Sequence, residues 1–253
     1  MDLKLKQRRL KMKLLINIDD VRNSYRQFGK QVSIESFNGH VREAQENTLD
    51  ELLGRAMAYA FYSFLENGFS ESSETFTRNT DNQLTAEGVD LSVWAGYSLK
   101  INDNIYVLVY SAVFGGVDTI IKVLGYTLPT TLTKIEFSSE NKYTKLLNGT
   151  AYELNNKTIS FKGLRPLIIW HFLASYLIDG SLKQSDVGNI NIVGANFSNA
   201  SGRQISEARA NYLENATRER NYIIDFLNEN NSIYSLYEAQ SKQNIQDFNF
   251  LIF

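Results

Sequence analysis

Apolar residues recur at three- and four-residue steps near the end of the chain. Ile205, Ala208, Tyr212, Ala216, Ile223 and Leu227 form one stripe between Gln204 and Asn228, with a gap around Glu219. That period predicts a long helix with one face toward a core. Glu214 and Arg218 make an i, i+4 pair on its other side. Another helix opens at Gly163 and Pro166, because proline suits a first turn where its missing N–H costs little. It is expected to run to Asp179-Gly180. Near the start, Ile18 to Phe28 reads as a helix with Asp19 and Asp20 at its positive end. Asn38 is placed to cap a helix through His40-Val41-Arg42-Glu43-Ala44-Gln45. A break is expected at Asn47-Thr48, with Glu51 at capping-box spacing from Thr48, followed by a kink or close approach at Gly54. Arg55 to Glu66 has no clear polar face, which predicts a buried helix or a subunit contact, ending at Asn67-Gly68.

The middle of the chain has a different period. Ile105-Tyr106-Val107-Leu108-Val109-Tyr110 is β-branched and aromatic, as strands are. Val117 to Val123 fits a strand or a short helix equally well. Lys134-Ile135-Glu136-Phe137 reads as a brief strand and Asn141 to Leu147 as a short helix. Ala151 to Leu154 and Thr158 to Phe161 flank Asn155-Asn156, a turn that tolerates positive φ, so they predict a hairpin. Phe69 to Asp90, rich in Ser, Thr, Asn and Glu, reads as an exposed loop. The expected class is α+β, a mainly helical core with a β-containing central insertion. Four parts follow: a basic arm over 1–14, a helical part of the core over 15–69, the insertion over 70–140, and a hairpin with long helices over 141–253.

Composition narrows the classes. An apolar content of 43% over 253 residues allows a substantial core. The net charge is −2, but Lys4, Lys6, Arg8, Arg9, Lys11 and Lys13 against Asp2 make residues 1–13 +5 and leave −7 for the remainder. There are no cysteines, which excludes disulfides, thiolate metal sites and cysteine nucleophiles. Leu14-Leu15-Ile16 runs straight into Asn17 and Asp19, too short an apolar stretch for a secretory signal. Leu167 to Ile178, interrupted by His171 and Ser175, is short of the roughly 20 residues needed to span a bilayer. Several Asn-x-Ser/Thr triplets, such as Asn148-Gly149-Thr150 and Asn215-Ala216-Thr217, match the glycosylation signal by chance in so Asn-rich a chain.

Few residues suggest chemistry. The two histidines are His40, read as exposed or capping near a helix start, and His171, read as a core or interface histidine. Asp19-Asp20 fits a helix start better than a metal site. Phe114-Gly115-Gly116-Val117 lacks the further glycine and the Lys-Ser/Thr of a phosphate loop, and reads as a tight turn. No catalytic, cofactor-binding or metal-binding residue is assigned, and no cofactor is expected. The basic segment, with Leu3, Leu5, Leu10, Met12 and Leu14 partly alternating with cations, suits three fates: a solvated tail, docking on a partner sheet or acidic partner, and contact with DNA phosphates. The apolar end, Phe248 to Phe253, is expected to dock on its own domain or a neighbour.

Two segments carry a family resemblance. His40-Val41-Arg42-Glu43-Ala44-Gln45 with Leu49 and Leu52-Leu53-Gly54 is similar to the helix pair near the start of phage head–tail connector proteins. Leu146-Leu147-Asn148-Gly149-Thr150-Ala151-Tyr152, then Asn155 through Leu164, leads into an aromatic-rich helix, a polar loop with Gly194 and a long helix ending in Phe226-Leu227-Asn228. That order resembles the connector (adaptor, neck ring) proteins of podoviruses and crAss-like phages of Bacteroidetes, over about residues 15–65 and 142–240; residues 70–140 match no pattern of that family. The resemblance implies a structural, non-enzymatic virion protein. It would form a homo-oligomeric ring of about twelve copies, stacked between the portal and adjacent tail or ring proteins. Double-stranded DNA would pass through its lumen without specific recognition. It implies assembly in the host cytoplasm and no membrane. A tail hub, a stopper, a tail-associated glycan hydrolase and a DNA-binding regulator are the competing readings.

Overall fold

The computed structural model describes residues 14–24, 34–154, 157–182 and 202–238. The fold is α+β, with long helices and an all-antiparallel sheet. The chain forms two compact units. One holds the described residues up to Arg55, Arg165–Asn228 and Tyr237 onward; the other holds Ala56–Leu164 and Glu229–Leu236. These boundaries differ from divisions at 69/70 and 140/141. The reason is local packing. The end of the helix finishing at Asn67 packs with the sheet, as Tyr106 and the Leu65 carbonyl show, and the hairpin before Leu164 clusters in the same unit.

The helical unit begins at α1 (Ile18–Ser24). Its start is set by Asn17, whose side-chain oxygen accepts from the amides of Asp19 at 2.8 Å and Asp20 at 2.9 Å. Asp20 in turn accepts from the Asn17 amide at 2.6 Å. This is the reciprocal capping box built from Asn and Asp, and it gives Asp20 a structural task that the sequence only hinted at. The described part of α1 ends at Ser24, and residues 25–33 lie outside the described region.

Helix α2 (Ile34–Asn67) carries the chain from the first unit to the second. The break expected at Thr48 does not occur. The Thr48 hydroxyl donates instead to the Ala44 carbonyl at 2.6 Å, the i−4 bond of a threonine within a continuing helix. The kink does fall at Gly54, whose φ of 71° and ψ of 156° are not helical. Only glycine takes such a φ without a Cβ penalty. Helices α4 (Leu164–Leu182) and α5 (Gly202–Glu229) complete the unit. Its core holds Phe37 edge-on to Phe172 at 5.0 Å, and Val41, Leu49, Leu52, Leu167, Ile223 and Leu227 are buried with them.

The second unit is built on a seven-stranded antiparallel sheet. Its strands are β1 (Ser70–Glu71), β2 (Phe76–Thr80), β3 (Gln83–Ala86), β4 (Ser98–Ile101), β5 (Ile105–Phe114), β6 (Thr119–Leu124) and β7 (Ile135–Ser138). They lie in the order β1-β7-β4-β5-β6-β3-β2. Phe69 to Asp90, expected as a loop, thus supplies three strands. Their residues are mostly Ser, Thr, Asn and Glu, and only Leu84 and Ala86 are buried inward, a period-2 signal two residues long. Val117 to Val123 resolves as strand β6, whose burial alternates at every step.

One face of the sheet, here the inner face, is closed by a core of Leu84, Leu99, Ile101, Val107, Val109, Ile121 and Val123 with Trp94. Trp94 sits in a short 3-10 turn and stacks on Phe137 at 4.7 Å and Phe76 at 5.9 Å. After the sheet come α3 (Lys142–Asn148) and the hairpin β8 (Thr150–Leu154) and β9 (Lys157–Phe161). Gly149 and Gly163 bracket that hairpin back to back. A Cβ on Gly163 would lie 2.4 Å from the Gly149 amide nitrogen, and one on Gly149 2.1 Å from the Phe161 carbonyl oxygen. Both also have φ above 80°, so the two glycines of the Asn-Gly and Lys-Gly pairs are there for close approach.

Candidate functional site

The outer face of the sheet divides into two halves. Over β7, β4 and the first part of β5 it is covered. Tyr106 points outward there and is buried, with its hydroxyl donating to the Leu65 carbonyl at 3.0 Å. Phe69 lies 5.6 Å from its ring, and the Asn148 amide group donates to its carbonyl at 2.8 Å. The last turns of α2 share this cover, with Phe61 and Phe64 against Tyr143 at 5.9 and 5.4 Å. Arg55 to Glu66, read as apolar all round, therefore has a distinct buried side (Met57, Phe61, Leu65) and an exposed one at Tyr59.

Beneath that cover lies an ion pair. Lys100 and Glu136 face each other across β4 and β7, both buried, with Nζ 2.8 Å from the carboxylate. Lys134 adds a second cation 3.5 Å from Glu136 and reaches Asp103 at 3.6 Å and Glu71 at 3.7 Å. Desolvation pulls the Lys134 ammonium down, but the charges of Glu136, Glu71 and Asp103 together outweigh it and hold the group above its ordinary value. The carboxylates are engaged by ammonium groups, and the Lys100 head also lies 5.9 Å from the Phe69 ring. This is a structural network. Among the described residues no group of three or more His, Asp or Glu is arranged to hold a metal.

Among the described residues nothing covers the other half of the outer face, along the rest of β5 and β6, where exposed apolar side chains flank Lys122 and Ser111. Val113 pairs with Ile120 and Leu108 with Leu124 across the two strands, while the register shifts between Val109 and Ser111 and leaves Tyr110 outside the pairing. Tyr110 is 68% exposed, Val113 62%, Ile120 42% and Leu124 50%. Val117 at the hairpin tip is 69% exposed. Gly115 and Gly116 make the tight turn there: Gly115 donates to the Asp118 carbonyl at 2.8 Å and Gly116 has a φ of 91°. The strand period positions these side chains, since every second residue of β6 must leave the core face.

The histidines lie in the helical unit. His40 is well inside α2, because the helix is already formed at Ile34, and it meets the Tyr176 ring edge-on at 5.5 Å. It neither caps a helix nor stands near its start. His171 lies on α4. Burial, aided by the Arg220 guanidinium, pushes its imidazole down to about 4. It is therefore neutral at pH 7. Glu51 is pushed up by burial against the pull of Arg220, so helices α2, α4 and α5 converge on one polar group. Of the glycosylation triplets, two have structural tasks: Asn148 is tied to Tyr106, and Asn215 donates to the Asn211 carbonyl within α5. An open concavity of about 830 Å³ between the β2–β3 turn and the end of β6 holds one carboxylate, Asp81, paired with Arg78. It does not offer the two carboxylates of a glycoside hydrolase. The basic segment 1–13, the polar loop with Gly194 and Phe248 to Phe253 lie outside the described residues. Among the described residues no helix is long and apolar enough to cross a membrane.

Residues 120–246, half of the chain, match the model of a family of unknown function, DUF6712. The chain belongs to this family. The DUF6712 match begins within β6 and takes in β7, the hairpin with its two abutting glycines, α4 and α5. The covered and bare halves of the outer face thus mix strands inside and outside the DUF6712 match. No curated protein and no solved structure matches the chain.

Proposed function

We propose that this chain is a structural subunit of a phage head-to-tail connector, forming a closed ring between the portal and the tail. The observation that carries an assembly role is the bare apolar row of Tyr110, Val113, Ile120 and Leu124. Exposed apolar side chains gathered on one face of a folded domain mark an interaction site, and here the Lys122–Ser111 pair is the one polar break in the row. A ring formed by heterologous contacts buries such a row on every copy at once. The kind of assembly is suggested by the likeness of residues 40–54 and 146–164 to connector proteins. Its work is positioning, with no bond made or broken. Each of about twelve copies contacts its neighbours, the portal and the adjacent tail ring, and duplex DNA passes through without being read. The virion neck is then its location.

Native mass spectrometry of the purified chain, alone and with portal protein, tests this reading. A closed ring, or a monomer that assembles on the portal, is the expected result. A stable monomer indifferent to the portal overturns it. The same surface suits a tail hub or a stopper, and a ring that forms but ignores the portal assigns the chain to one of those.

A further inference from the structure

We infer that the bare half of the outer sheet face is covered, in the assembled ring, by residues 1–13 of a neighbouring copy. This rests on the ring reading and names the occupant of its contact surface. The occupant must be apolar on one side and must tolerate water on the other. Met1, Leu3 and Leu5 alternate with Asp2, Lys4 and Lys6, and after Arg8-Arg9 the alternation resumes in the other phase with Leu10, Met12 and Leu14 against Lys11 and Lys13. An extended chain places such residues on opposite sides. Leu3 and Leu5 of the first run then meet Val113, Ile120 and Leu124 while Lys4 and Lys6 face outward.

Charge points the same way. Residues 70–140 hold nine carboxylates and four cations, a net −5, against +5 for residues 1–13. Lys122 stands in the apolar row itself, opposite Ser111, so the attraction is to the sheet segment as a whole. The root of the basic segment is fixed. The Leu15 amide donates to the Gln45 side chain at 2.8 Å, and Arg165 donates to the Leu15 carbonyl at 3.2 Å. From that anchor thirteen extended residues reach at most about 45 Å, the scale of an adjacent subunit.

The absence of cysteine makes the test direct. Full-length Leu5→Cys chains are mixed with Val113→Cys chains, assembled and oxidised with copper–phenanthroline. The expected product is a disulfide-linked pair. Val93→Cys is the control, 71% exposed on the 3-10 turn that closes the opposite face, and it should give a far lower yield. Equal yields at the two positions, or none at Val113 in rings that still form by native mass spectrometry, overturn the inference and leave the ring reading standing. Deletion of residues 1–13 should shift the mass from ring to monomer at an unchanged thermal midpoint. If the shortened chain does not fold, full-length Lys4→Glu/Lys6→Glu/Arg8→Glu/Arg9→Glu takes its place. A ring that survives the change overturns the inference. So does crosslinking to Val113 that disappears when duplex DNA is added, which assigns the segment to DNA.

Discussion

The two halves of the outer sheet face invert the usual relation between polarity and burial. The half over β7, β4 and the start of β5 carries Lys100 and Glu136, yet it is closed by Phe69, Tyr106 and the end of α2. The half over the end of β5 and β6 carries Val113, Ile120 and Leu124, yet it is open. A monomer stabilised only by its own contacts would place its cover over the apolar half, because that is where burial gains most. Covering the charged half requires the pair to compensate its own desolvation. Among the described residues nothing covers the rest.

The largest expected effect probes the covered half. Lys100→Met leaves buried Glu136 with Lys134 alone and should cost about 3–5 kcal/mol in urea unfolding. Replacing both partners, Lys100→Met with Glu136→Leu, should recover most of that. If the single change costs little, the covered half is wetter than described and the contrast fails. The next effect separates adjacent residues of β6. Ile121→Ala, on the inner face, should cost about 2–5 kcal/mol, far more than Ile120→Ala beside it. Tyr106→Phe removes the bond to the Leu65 carbonyl and should cost about 1–3 kcal/mol, since a buried acceptor loses its donor. Smallest is Ile120→Ser on the bare half, which should leave monomer stability within about 0.5 kcal/mol. Under the ring reading it nevertheless weakens assembly, measured by native mass spectrometry. A large loss of monomer stability there would mean the row is already packed.

Much of the fold was legible where one period ran long. The stripe from Ile205 to Leu227 and the proline-led helix at Pro166 appear as α5 and α4, with the latter running to Leu182. The β-branched run from Ile105 and the hairpin around Asn155-Asn156 also appear as strands. The misses share a cause. Thr48 has capping chemistry, but a helix already propagating from Ile34 absorbs it through its own i−4 bond. Strand β1 pairs with β7 and β3 with β6, partners about thirty to seventy residues away in sequence, and β2 is added at the edge through β3 alone, so their polar residues carried no local signal. The bare row was illegible for a subtler reason. Along β5 and β6 apolar residues fall on both faces, with only Ser111 and Lys122 polar among the outward pairs, and the position of the α2 end decides which outward residues are covered. Asn17 was missed as a cap because the carboxylates of Asp19 and Asp20 offered a simpler explanation of the helix start.

The route of the backbone has a practical consequence for anyone who wants to work with a piece of this molecule. The chain passes between its two compact units near residues 55, 164, 228 and 236. No single cut separates them. A fragment spanning 56–164 would keep every strand but lose Tyr234, whose hydroxyl donates to the Lys142 carbonyl at 2.7 Å and whose ring lies 6.4 Å from Tyr143. The short return segment acts as a clasp threaded in from much later in the chain. Truncation libraries, split reporters and fusion tags inserted before residue 229 would therefore strip the sheet of a part encoded long after its last strand.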